Sequence, residues 1–116
     1  MNQQQRGAAA EELAAGYLAA RGVEILERNF RCRMGEIDLV ARDGDTLVFV
    51  EVRMRRSSAF GGAAASIDRA KQRKLVATAR YYLAGRDSPP RCRFDAVLIE
   101  GAGTPRIEWL RDIISA

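Results

Sequence analysis

The chain has 116 residues, of which 47% are hydrophobic and 29% are charged, a composition typical of one soluble, globular domain. It contains no histidine, which excludes Ser-His-Asp and Cys-His nucleophile systems, histidine-ligated zinc and histidine general bases. Nineteen lysines and arginines against 15 acids give a net charge of +4, a modest indication of an anionic partner.

The cysteines and the apolar runs bear on location. Cys32 and Cys92 lie far apart in the sequence. Their spacing matches neither that of metal-binding cysteines nor that of a disulfide framework. They could pair only if the fold brought them together, and two reduced thiols are typical of a cytosolic protein. The first residues are polar, unlike a signal peptide, and no apolar run approaches the ~20 residues of a membrane span. We therefore expect a cytoplasmic protein that does not bind membranes.

The first half of the chain predicts a helix and then three strands. Apolar residues recur at helical spacing over residues 6–21, and Gly22 is placed to end this helix. Strands are predicted over residues 23–30, 35–42 and 46–55, with a tight turn at Asp43-Gly44 before the last of them. The apolar face of the helix is formed by Ala10, Leu13, Ala14, Tyr17 and Leu18.

The second half predicts a loop, a helix and one or two strands. Residues 56–62 have the composition of a loop. A helix follows from near Ser66, a candidate N-cap, to residue 84, and Gly85 ends it. A strand is predicted over residues 92–100, and residues 106–113 form either a weaker strand or a tail that packs through Trp109.

This order of elements predicts an α/β fold in one domain spanning residues 1–116. The first three strands can pair as a meander. The second helix then returns the chain to the next strand by a crossover, so a mixed central sheet flanked by helices is expected.

Charged side chains interrupt the apolar pattern of the strand at residues 46–55. Because side chains alternate along a strand, Phe49, Glu51 and Arg53 share one face and the intervening valines share the other. Glu51 and Arg53 are then neighbours on a strand that the pattern places centrally in the sheet. One interpretation is an ion pair between them.

A second pair of acids lies on the preceding strand. The same alternation places Glu36 and Asp38 on one face, opposite Ile37 and Leu39. If the Asp43-Gly44 turn closes a hairpin, Asp38 approaches Glu51. Two acids that converge among apolar residues need a compensating cation or donor. A magnesium ion, which takes one or two carboxylates, fits that need, although an exposed Asp38 fits the spacing equally.

Six segments of the chain resemble the YraN family of bacterial proteins. That family is similar to restriction-endonuclease-like nucleases, especially archaeal Holliday-junction resolvases. The resemblance implies a restriction-endonuclease-like αβββαβ core, hydrolysis of DNA phosphodiesters with Mg²⁺ or Mn²⁺, and a homodimer. The segments are residues 10–14, 35–41, 49–53, 61–67, 71–75 and 93–97.

The resemblance also implies roles for individual residues. Asp38 and Glu51 match the two acidic, metal-binding positions of the nuclease motif. Glu11 matches an acid that resolvase-like proteins carry on their first helix. Helical geometry favours Glu11 over Glu12, because Glu11 flanks the apolar stripe. The alternative for Glu11 is a solvated acid in the first turn of the helix.

Arg53 departs from the pattern of the wider superfamily, which usually has lysine at this position. Arginine stays protonated and cannot act as a base, but it can bind the scissile phosphate and stabilise developing charge. Lys71 is the candidate replacement for the lysine, since it is in line with Leu75 and Ala79 on the helix face expected to meet the sheet. The alternative for Lys71 is an ordinary lysine that extends to solvent.

Arginines in and before the second helix form a candidate DNA-binding surface. Glycines before a helix N-terminus also let backbone amides approach phosphate. Such a surface would hold duplex DNA without reading its sequence, although exposed helix faces are commonly charged. The arginines are Arg55, Arg56, Arg69, Arg73 and Arg80.

The leading hypothesis is therefore a Mg²⁺- or Mn²⁺-dependent nuclease that acts on duplex or branched DNA. Asp38 and Glu51 would hold the metal, Glu11 would be a third acid, and Arg53 and Lys71 would be the catalytic cations. The competing hypothesis is a non-catalytic DNA-binding module of the same fold that acts with a partner enzyme. A third is a structural protein whose acids only pair with arginines.

Overall fold

The computed structural model describes residues 3–55, 67–101 and 104–114, with side chains for all of these except 3–6 and 55. The predicted loop at 56–62 and the predicted cap Ser66 lie outside the described residues. In chain order the elements are α1 (Gln3–Ala19), β1 (Glu24–Cys32), β2 (Gly35–Asp43), β3 (Thr46–Arg55), α2 (Arg69–Leu83), β4 (Arg91–Glu100) and β5 (Arg106–Leu110).

The described strands form one mixed sheet in the order β1-β2-β3-β4-β5. Strands β1, β2 and β3 pair antiparallel as a meander, β3 and β4 pair parallel, and β5 pairs antiparallel with β4. A parallel pair requires a crossover connection, which α2 provides. The predicted α/β class, meander and crossover are confirmed. Within the described residues, no helix is long and apolar enough to span a membrane.

The N-terminus of α2 differs from the prediction. Asp68 is the N-cap, and its side chain accepts a hydrogen bond from the backbone N–H of Lys71 at 2.8 Å. Aspartate satisfies an otherwise unpaired amide of the first turn, which is the capping role that was expected of Ser66. The helix therefore begins at Arg69, and Lys71 lies in its first turn.

The helices pack on opposite faces of the sheet, because alternate residues of β3 belong to different core layers. Val48 and Val50 pack with α1, whereas Leu47 and Phe49 pack with α2. The α1 layer is lined largely by alanines of the helix, and small side chains let a helix approach a sheet closely. Leu13, predicted to face this layer, is 41% exposed. Its place in the core is taken by Ala15.

The faces of β1 and β2 exchange part way along the strands. Leu39 packs in the α1 layer and Ile37 in the α2 layer, although two residues apart on a regular strand share a face. The prediction that Ile37 and Leu39 share a face is therefore wrong. The ladder pairs Arg28 with Leu39 and Phe30 with Ile37. Asn29, which lies between them on β1, has a left-handed backbone with φ of 54°, and it is opposite Asp38.

A buried carboxylate holds the C-terminal segment against the sheet. Asp95 on β4 is fully buried and accepts hydrogen bonds from the guanidinium of Arg93, from Trp109 Nε1 at 2.9 Å and from the backbone N–H of Asp112 at 3.0 Å. Arg93 also donates to Asp43 at 2.8 Å, at the end of β2. A buried charge persists only when it is paired and hydrogen-bonded. This network therefore ties β2, β4 and β5 together.

Candidate acidic site

The candidate site lies where β2 and β3 separate. Their ladder ends at the pair Leu39 and Val50. Asp38 is the residue before Leu39 on β2. Its side-chain Oδ2, instead of a backbone carbonyl of β2, accepts a hydrogen bond from the backbone N–H of Val52 at 2.8 Å. Asp38 is thereby held in the gap between the two strands. The hairpin predicted from Asp43-Gly44 is present, so Asp38 and Glu51 converge as the sequence predicts.

Glu51 is held on the α2 face of β3 beside two cations. Its side chain is 5% exposed, Lys71 Nζ lies 3.1 Å from Oε2, and Arg53 Nη2 lies 3.9 Å from the same oxygen. The Lys71 contact is an ion pair without hydrogen-bond alignment. Among the described residues, no group donates a hydrogen bond to Glu51 Oε2, and no group accepts a hydrogen bond from Arg53 Nε. Both atoms are therefore buried with unused bonding capacity in the described part of the site.

Asp38 and Glu51 share a hydrogen bond, which requires a proton on one of them. The pKa of Asp38 is raised to about 8, first by burial and then by the hydrogen bond with Glu51 and the charge of that residue. The hydrogen bond from Val52 and the charge of Lys71 lower the pKa, but by less. At neutral pH, Asp38 and Glu51 therefore share a proton. A divalent cation bound at the same place would neutralise the charges of both carboxylates instead.

Stability of the metal-free protein is expected to depend on this proton. Because the pKa of Asp38 is about 8 in the folded state and 3.8 as the reference value, the folded state retains a proton that the unfolded state releases. The stabilising contribution is complete below about pH 4 and is lost as pH rises towards about 8.

Asp38→Asn removes that titration, so its free energy of unfolding relative to the wild type is expected to increase across the same pH range and then level off. Urea unfolding in EDTA at several pH values measures the difference. A difference that does not vary with pH would contradict the proposed protonation of the pair.

A third and a fourth acid lie on the other side of Asp38. Carboxylate oxygens of Glu11, Glu36 and Asp38 lie within 4.8 Å of one another. Burial raises the pKa of Glu11, a hydrogen bond from Asn29 opposes this, and the charges of Asp38 and Glu36 raise the pKa further. Glu36 was not predicted as a site residue. Its two-residue spacing from Asp38 was the available signal, but that spacing alone did not show that α1 would bring Glu11 to the same point.

Three of the predicted arginines line a groove to which none of the described acids contributes. Arg69, Arg73 and Arg80 are exposed and line one groove, of about 770 Å³, together with Ile113 and Ile114 of the C-terminal segment. Lys71, on the opposite side of α2, faces Glu51. The structure therefore brings these arginines together on the outer face of α2. The side chain of Arg55 and all of Arg56 lie outside the described residues.

The thiols of Cys32 and Cys92 are free in the structure, so the fold does not pair them.

Comparison with known proteins identifies relatives along nearly the whole chain. A family model described as uncharacterised protein family UPF0102 matches residues 10–99. A UPF0102 protein of Nitrosomonas europaea is 57% identical over 107 residues, which are 92% of this chain and 91% of that protein. A UPF0102 protein of Methylobacillus flagellatus is 53% identical and covers 97% of this chain and 98% of its own length. The relationship to YraN-like proteins is confirmed, and these names state no activity.

Proposed function

The chain belongs to the uncharacterised protein family UPF0102, and from its acidic site we propose that it is a metal-dependent nuclease that hydrolyses the phosphodiesters of duplex or branched DNA. The observation that carries the proposal is a buried Glu51 that shares a hydrogen bond with Asp38 and has one oxygen with no hydrogen-bond donor among the described residues. We further propose that the αβββαβ core is restriction-endonuclease-like and that the protein acts in the cytoplasm.

The donor set suits a small, hard divalent cation. Mg²⁺ and Mn²⁺ prefer carboxylate oxygens and retain positions for water and substrate phosphate. Asp38 and Glu51 would hold the ion, and Glu11 and Glu36 add oxygens next to Asp38. In the absence of a cation, the same carboxylates require a shared proton and the Lys71 ion pair. Metal binding would therefore release a proton.

The cation and the two basic residues of the site would have different roles in phosphodiester hydrolysis. A divalent cation bound there supplies Lewis-acid polarisation of the phosphoryl group and makes a water molecule more acidic. Lys71, which lies 3.1 Å from Glu51, is close enough to the acids for its ammonium group to orient an attacking water. Arg53 lies 3.9 Å from Glu51 and stays charged, so its role is to bind the phosphate and stabilise its developing negative charge.

Arg69 and Arg73 offer uncompensated positive charge to the DNA backbone. Neither forms an ion pair with any residue that the structure describes, and both lie within two residues of Lys71 on α2. Contacts with phosphate from such residues position DNA without reading its sequence. We propose that Arg55, the last residue of β3, and Arg56, the next residue in the sequence, contribute to the same binding.

The decisive experiment is incubation of the protein with branched, flap and linear DNA in the presence of Mg²⁺, Mn²⁺ or EDTA. Product is expected only with metal and only from the wild type, and both Asp38→Ala and Glu51→Ala are expected to be inactive. Product from either variant at the wild-type rate would show that a contaminating nuclease or another site is responsible.

The separation of the arginine groove from the acids favours one alternative, a DNA-binding module that does not hydrolyse its ligand. That alternative predicts salt-dependent DNA binding without metal-dependent product from the wild type. It also predicts that Asp38→Ala binds DNA at least as tightly as the wild type, because removal of a buried acid does not weaken the basic surface.

Arg53 and Lys71 are expected to contribute differently to cleavage. Arg53→Ala is expected to lower the single-turnover rate by ~10²–10³, the size of losing one donor to the transition state, with little change in Mn²⁺ affinity. Arg53→Lys is expected to retain substantial activity, because it preserves the charge. Lys71→Ala is expected to slow the same step, because it removes the ammonium group that lies beside Glu51 and orients the attacking water. A fully active Arg53→Ala protein would exclude the role proposed for this residue.

A further inference from the structure

Two consecutive residues of β1 bind two consecutive acids of α1. Arg28 Nη1 donates to Glu12 Oε2, and the side chain of Asn29 donates a hydrogen bond to Glu11. Successive side chains of a regular strand point to opposite faces, so a regular β1 could present only one of the two to the helix. Both reach α1 because the backbone of Asn29 is left-handed, with φ of 54°.

The residue type at this position is consistent with that backbone. Most residues avoid the left-handed region because Cβ crowds the neighbouring carbonyl, and asparagine is among the few that adopt it readily. Residues with such an unusual backbone conformation persist only where the surrounding structure holds them in it, and they are often found at functional sites. Here the strand changes face at Asn29, directly opposite Asp38 on β2.

The change of face places the acids as well as the apolar residues. Beyond Asn29 and Asp38, Phe30 and Ile37 pack under α2 instead of α1. Glu36 consequently reaches the α1 side, where its carboxylate lies within 4.8 Å of Glu11 and Asp38. An irregularity in β1, outside the acidic residues themselves, therefore determines which acids meet.

We propose that Asn29 is a positioning residue of the acidic site, whose left-handed backbone directs its amide to Glu11 and fixes that carboxylate beside Asp38. The inference deepens the proposed function, because it assigns the alignment of the third acid to a neutral residue on β1. Outer partners that orient metal-binding carboxylates typically change metal affinity by 10–100-fold when they are removed.

The test uses Asn29→Gly, which keeps the left-handed backbone accessible and removes the side chain with its amide. Calorimetry with Mn²⁺ compares the wild type, Asn29→Gly, Glu11→Gln and the double variant. Asn29→Gly is expected to weaken Mn²⁺ binding about tenfold, and it is expected to have no further effect in the Glu11→Gln background. Arg28→Ala, which removes the neighbouring contact with Glu12, is the matched control and is expected to bind Mn²⁺ as the wild type does.

A second measurement does not depend on metal. In EDTA, the side-chain amide resonances of Asn29 are expected to shift more in Glu11→Gln than in Glu12→Gln, because only the first variant removes the charge of the group that the Asn29 amide contacts. Equal shifts in the two variants, unchanged Mn²⁺ affinity of Asn29→Gly or additive effects in the double variant would each overturn the proposal. If the wild type binds no Mn²⁺, the proposed function fails, and the Asn29 resonances then decide whether its amide contacts Glu11.

Discussion

Replacement of Glu51 with glutamine is expected to abolish both Mn²⁺ binding and metal-dependent cleavage. Glutamine keeps the volume of the side chain and its ability to hydrogen-bond Asp38, but it removes the negative charge beside Lys71 and Arg53. A hard cation at this site would then have only Asp38 as a carboxylate ligand from the pair, and it would be repelled by Lys71 and Arg53. The rate of cleavage is expected to fall by more than ~10³-fold, a larger effect than loss of a single donor.

The buried position of Glu51 makes this variant informative. Because its side chain is only 5% exposed, solvent screens the charge of Glu51 poorly, and its loss acts strongly on a cation bound beside it. Calorimetry with Mn²⁺ and single-turnover cleavage measure the two effects on one protein sample, and circular dichroism verifies that the variant is folded.

Glu12→Gln is the matched control, because Glu12 lies next to Glu11 on α1 but its side chain is 72% exposed and pairs with Arg28. It is expected to leave both quantities unchanged. Retention of wild-type Mn²⁺ affinity by Glu51→Gln would place the metal with Glu11, Glu36 and Asp38 alone, and the assignment of Glu51 would be wrong.

Replacement of Asp95 with alanine is expected to cause a large loss of stability. The residue is fully buried, and its removal leaves the indole N–H of Trp109 and the backbone N–H of Asp112 without their acceptor, while Arg93 keeps only its hydrogen bond to Asp43. Breaking a buried charge pair by removing one partner costs about 3–5 kcal/mol. Denaturant unfolding measures the change in the free energy of unfolding.

Two further variants separate charge from packing at this position. Asp95→Asn retains the shape but not the charge and is expected to lose part of that stability. Asp87→Asn, which replaces an exposed aspartate in the turn before β4, is expected to have an effect close to zero. If Asp95→Ala lost less than about 1 kcal/mol, the network would be peripheral and the C-terminal segment would be held by apolar contacts alone.

Alternation along β3 and the helical spacing of α2 were sufficient to predict the centre of the site. Glu51 and Arg53 were placed on one face of β3 and Lys71 on the sheet-facing side of the second helix, and the structure brings the three together. These predictions depend only on local periodicity, because β3 and α2 are regular over those residues. The strand bounds of 46–55 were confirmed for the same reason.

Irregular positions were not predictable in this way. The alternation rule placed Ile37 and Leu39 on one face, but β2 changes face between them, where Asn29 on the neighbouring strand has a left-handed backbone. Nothing in residues 35–42 alone reports the backbone conformation of another strand. The participation of Glu36 depends on the same change of face and was missed.

The sequence by itself therefore determined the α/β class, the order of the elements, the family and the convergence of Asp38 with Glu51, all of which follow from periodicity, turn residues or matching segments. The tertiary structure decided which further groups meet that pair, namely Glu36, Glu11 and Asn29, and it placed the arginine groove on the outer side of α2. The physical reason is that pattern fixes the direction of a side chain only relative to its own element. Distances between elements depend on strand pairing and core packing.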